Sequence, residues 1–133
     1  MIILKICLFL MFVLYSVIQG VLDAHLFHNR NTSTVPSKAN LHALFVVQRA
    51  LFLGFIYWIT IDWILIVSLI LLYSIFHNSF YYEYRHKLDK NIYPLRWRDS
   101  SNSSTAFFEF NFGARMLLAG IGIVMIVLDF VFL

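Results

Sequence analysis

The chain has 133 residues, of which 61% are hydrophobic and 13% charged, with a mean hydropathy of +0.79 and a net charge of +3. Globular proteins are about 45–50% apolar and about 25% charged, and here the apolar residues fall in three blocks, so a water-soluble domain is excluded. Basic residues are interleaved with acids instead of gathered on a soluble face, which argues against nucleic acid as a partner, and the single Cys7 excludes a disulfide framework or a thiolate metal cluster.

The first block, residues 2–21, carries one charge, Lys5. About twenty apolar residues cross a hydrocarbon core of roughly 30 Å. The block is longer than the roughly 7–15 residues of a signal-peptide core, and it lacks a good small-residue cleavage site, so it is expected to be an uncleaved anchor. Residues 23–40 follow as a polar loop that no helix can cross at Pro36. Ser37 or Asn40 is expected to cap the next helix.

From Ala50 to Phe76 the chain is apolar, aromatic or hydroxylated apart from Gly54 and Asp62. At 1.5 Å per residue this stretch is about 40 Å long, more than one crossing needs and too little for two. The sequence Thr60-Ile61-Asp62-Trp63 holds no Gly, Pro or Asn to turn a hairpin. One long helix is therefore expected, crossing at about 50–76 and continuing out of the bilayer to about 88. After Pro94 and the Ser/Asn-rich loop up to Thr105, the last span is expected at about 114–133. The predicted fold is all-α: a single membrane domain, residues 1–133, with three transmembrane helices.

Lys and Arg are richest between the second and third spans, which by the positive-inside rule puts that segment inside, the N-terminus inside and the C-terminus outside. Four groups of residues could carry chemistry. Asp23, His25, His28 and His42 form a ligand set that zinc, iron or copper could accept, beside the blander reading of interfacial hydrogen-bonding groups. His77, Tyr81, Tyr84 and Arg85 share a helical stripe suited to a lipid headgroup or to an interface contact. Asp62 is an intramembrane acid, costly when exposed to lipid and therefore in need of a partner. Gly113, Ala119, Gly120 and Gly122 offer a smooth patch for helix packing.

No nucleophile triad, phosphate loop or HExxH motif is present, and the sequence identifies no cofactor. The expected function is that of a small non-catalytic accessory or structural subunit of a membrane assembly, its partners the lipid bilayer and other membrane subunits or further copies of itself. The alternatives are a metal- or haem-binding redox protein using the histidines near the first loop, and a pore-former of the phage-holin type.

Overall fold

A computed structural model of the chain describes the backbone of residues 1–32, 38–94, 96–97 and 111–132, and the side chains of all of these except 30–32 and 38–43. Among the described residues four helices follow one another: α1 (Ile2–Thr32), α2 (Lys38–Thr60), α3 (Trp63–Leu88) and α4 (Phe112–Phe132). Among the described residues three stretches are long and apolar enough to cross a membrane, Ile2–Asn29, Trp63–Leu88 and Phe112–Phe132, as in an integral membrane protein. The apolar part of α2, Leu44–Thr60, is shorter.

The three expected spans are therefore present, but the middle one begins at Trp63 and not near residue 50. The helix breaks at Ile61, whose φ of 51° lies in the left-handed region that side chains rarely adopt. Asp62 then starts α3 as its N-cap, accepting a hydrogen bond of 3.0 Å from the Leu65 amide. A carboxylate that satisfies the first free amides of a new helix replaces the Gly or Pro that a turn ordinarily signals. Asp62 is thus at a helix start and not in mid-span.

Cross-helix contacts fix the directions. Lys5 meets Asp62, and Asp23 meets His77, so α1 and α3 run parallel. Arg49 meets His77, and Tyr57 packs on Trp63, so α2 folds back against α3. Arg115 meets Ser79 and Asp129 meets Lys5, so α4 is antiparallel to both α1 and α3. Both chain ends consequently lie at the same end of the bundle as the Ile61–Asp62 turn. This differs from the arrangement expected from a single crossing between residues 50 and 88, which puts the two termini at opposite ends of the bundle.

α3 is the central element, flanked by α1 and α4, while α2 contacts it least. Leu8 and Phe12 of α1, Ile56 of α2, Leu65, Leu69 and Leu72 of α3, and Ala119 and Ile126 of α4 build the apolar core. Two close approaches set the spacing. At Gly20 an added Cβ would lie 2.5 Å from the His77 carbonyl oxygen, and at Gly122 it would lie 3.0 Å from both the Leu72 side chain and the Ser68 carbonyl oxygen. Small residues allow such backbone contact, which is how helices associate in lipid. On α1 they recur every fourth residue as Ser16, Gly20 and Ala24, all buried.

The helices match a bilayer in length. Tyr57, Trp58 and Trp63 sit at the turn end, and Tyr81, Tyr82, Tyr84, Tyr93 and Trp97 at the other. From Trp63 to Tyr84 α3 rises about 32 Å, close to a hydrocarbon thickness of roughly 30 Å. Amphipathic aromatic rings favour the two interfaces.

Candidate functional site

Two buried ionic clusters tie the helices together, one near each end of the bundle. At the turn end, the Lys5 ammonium donates to both carboxylate oxygens of Asp129, at 2.9 and 3.0 Å, and is ion-paired with Asp62. Lys5 and Asp129 are almost fully buried, at 5% and 1% exposure. One cation thereby joins α1, the α2–α3 turn and the end of α4. Burial acts against the charged form of Asp62, but the hydrogen bonds from Lys5 and the Leu65 amide, together with the Lys5 charge, outweigh it and hold the carboxyl below the ordinary carboxylate range. An opening of about 230 Å³, lined by Met1, Ile2, Lys5, Asp129 and Phe130, leads to this cluster from the end where the termini lie.

At the opposite end Asp23, 3% exposed, is the hub. Arg49 of α2 donates to Asp23 Oδ2 at 3.0 Å, and His77 Nε2 of α3 lies 2.8 Å from the same oxygen. Gln19 donates to Oδ1 at 3.2 Å. The Arg49 guanidinium covers the Tyr73 ring at 4.8 Å, Tyr73 stacks on His77, and His77 stacks on Tyr81. Asn78 Oδ1 lies 2.9 Å from His77 Nδ1. Gly20, one turn before Asp23, brings α1 close enough to α3 for the Asp23–His77 contact.

The sequence-derived groups fare differently. Asp23 turns to Arg49 and His77, while His25 packs on Tyr84 and His28 on Tyr93. The His42 side chain lies outside the described residues. Among the described residues no group of three or more His, Cys, Asp or Glu side chains is placed to hold a metal ion. The hairpin does bring the histidines to one end, yet His25, His28 and His77 are spread over separate contacts. Tyr81 and Arg85 engage each other, with Arg85 donating to the Tyr81 hydroxyl at 3.0 Å and covering the Tyr93 ring at 4.1 Å. On α4, Ala119 and Gly122 are buried, whereas Gly113 and Gly120 lie on the exposed face.

Lys5, Arg49, Asp129 and Gln19 belong to these clusters without any pattern in the sequence that signals it. Lys5 and Asp129 lie 124 residues apart, and a partner for Asp62 could be named only once the turn was known. Arg115 is fully buried at the start of α4, donating to Ser79 at 3.4 Å beneath the Tyr82 and Phe112 rings. Beside it an apolar cleft of about 580 Å³ opens between α3 and α4, with Phe76, Phe80, Trp97, Phe112 and Met116 among its walls.

No known protein family matches the chain, and neither characterised proteins nor solved structures give a match.

Proposed function

We propose that this protein is a non-catalytic accessory or structural subunit of a membrane assembly, docked through the outer face of α2. The observation that carries this reading is Gln48. It is exposed on a helix whose same face is otherwise apolar, with Leu44, Val47, Leu51, Phe55 and Trp58 also exposed and Gly54 leaving open space. In lipid an amide side chain is stabilised by hydrogen bonding across helices. The buried charges described above are engaged within the chain, which suits a fixed structural element.

In this reading α2 is a short fourth crossing. Of the ten Lys and Arg residues, only Lys5 belongs to the end holding the termini; by chain position the other nine belong to the opposite end, with five of the seven acids. The ends thus carry net charges of −1 and +4, which together make the chain's +3. The positive-inside rule then places the +4 end in the cytoplasm and both termini across the membrane.

The test is isolation in mild detergent of the wild type and of Gln48→Leu. The wild type is expected to run with partner subunits or as an oligomer, and Gln48→Leu as a folded monomer. A wild type that runs alone as a monomer refutes the subunit reading.

A further inference from the structure

We infer that the turn following α3 is a seat for anionic phospholipid headgroups, with Lys87 and Lys90 as the contacting cations. The inference rests on the reading of the +4 end as the cytoplasmic face only for its biological side; the contact itself follows from local geometry.

The turn is held rigidly. Asp89 Oδ1 accepts hydrogen bonds from the amides of Asn91 and Ile92, at 2.9 and 3.1 Å, and His86 donates from Nδ1 to the Tyr93 carbonyl at 2.9 Å. Arg85 lies over the buried Tyr93 ring, closing the turn from beneath. Lys87 and Lys90 are exposed at this turn.

Among the described residues, the acids beside the turn, Glu83 and Asp89, already have partners. Glu83 binds Arg96 through two hydrogen bonds of 2.9 and 3.3 Å, and Asp89 is held by the turn amides. Lys87 lies about one helical turn beyond Tyr84, which puts it just outside the hydrocarbon boundary set by the aromatic residues, at headgroup level. A basic surface at that depth complements the negative potential of a phosphatidylglycerol- or phosphatidylserine-containing leaflet, where each Lys or Arg near the surface adds about 1 kcal/mol.

The experiment measures thermal unfolding of the full chain in neutral detergent micelles titrated with phosphatidylglycerol, phosphatidylcholine or inorganic phosphate. Phosphatidylglycerol is expected to raise the midpoint more than phosphatidylcholine does, and added salt to erase the difference. Lys87→Gln and Lys90→Gln should each weaken the phosphatidylglycerol response roughly fivefold, with stability in phosphatidylcholine unchanged. The inference is overturned if the two lipids act alike on the wild type, if the double variant keeps the preference, or if inorganic phosphate reproduces the shift. The protein is in micelles, so a wrong assignment of the cytoplasmic end, or a missing partner for α2, leaves this result unaffected.

Discussion

The two ionic clusters solve the same problem in unequal ways. At the turn end, one ammonium serves two carboxylates on different elements, and both Lys5 and Asp129 are almost fully buried. At the other end, one carboxylate serves Arg49 and His77, and the Arg49 side chain keeps 21% of its surface exposed. A long guanidinium that reaches outward can follow the interface when its partner is lost. A carboxylate as buried as Asp129 has no such route, so the Lys5 cluster is the less forgiving.

The largest effect is therefore expected from Lys5→Met, which leaves Asp62 and Asp129 facing each other. Stability should fall by about 3–5 kcal/mol, the cost of stranding a buried charge, as measured by denaturant unfolding in detergent. Asp23→Asn should cost less than Lys5→Met in the same assay. Equal losses would mean that Arg49 is as firmly trapped as Asp129 and would remove the contrast between the two ends.

A smaller loss is expected where α1 crosses α3. Gly20→Ala puts a methyl group against the His77 backbone and should cost about 1–3 kcal/mol by overpacking. Gly120→Ala, with nothing near its added Cβ, should be neutral or stabilising by roughly 0.5–1 kcal/mol through helix propensity. If the two alanines behave alike, the close approach at Gly20 does not hold the Asp23 cluster together.

The finest distinction is in pH. Because its partners lower the folded-state value of Asp62, the stability it contributes is complete above the ordinary Asp pKa of about 3.9 and is lost as the pH falls through the folded value. Acid melts of Asp62→Asn should lack that loss. A variant that keeps the wild-type acid profile would show that another group governs it.

Much of the fold was legible in the sequence, because crossing a bilayer demands long apolar runs and these are visible without a structure. The hairpin was not. Its turn is made by an isoleucine in a left-handed conformation and an aspartate that caps the following helix, and neither stands out within an apolar stretch. The one available signal was Asp62 itself, which is better suited to starting a helix than to interrupting one. Once the turn was missed, the partner of Asp62, the shared end of the two termini and the meeting of Arg49 with His77 became invisible together, since each depends on α2 reversing direction. The small-residue rhythm of Ser16, Gly20 and Ala24 is readable in the sequence, although α4 carries the denser glycines.

The nearness of α1 to α3 at Gly20 has a mechanical meaning. Where a backbone carbonyl almost touches a neighbouring helix, weak Cα–H···O contacts become available and neither a lipid chain nor a water molecule fits between the two. These two helices form a stiff keel. α2 is fastened to that keel at several depths, by Arg49 on Asp23 and His77, by Phe52 on Phe12 and Tyr15, and by Ile56 within the shared core.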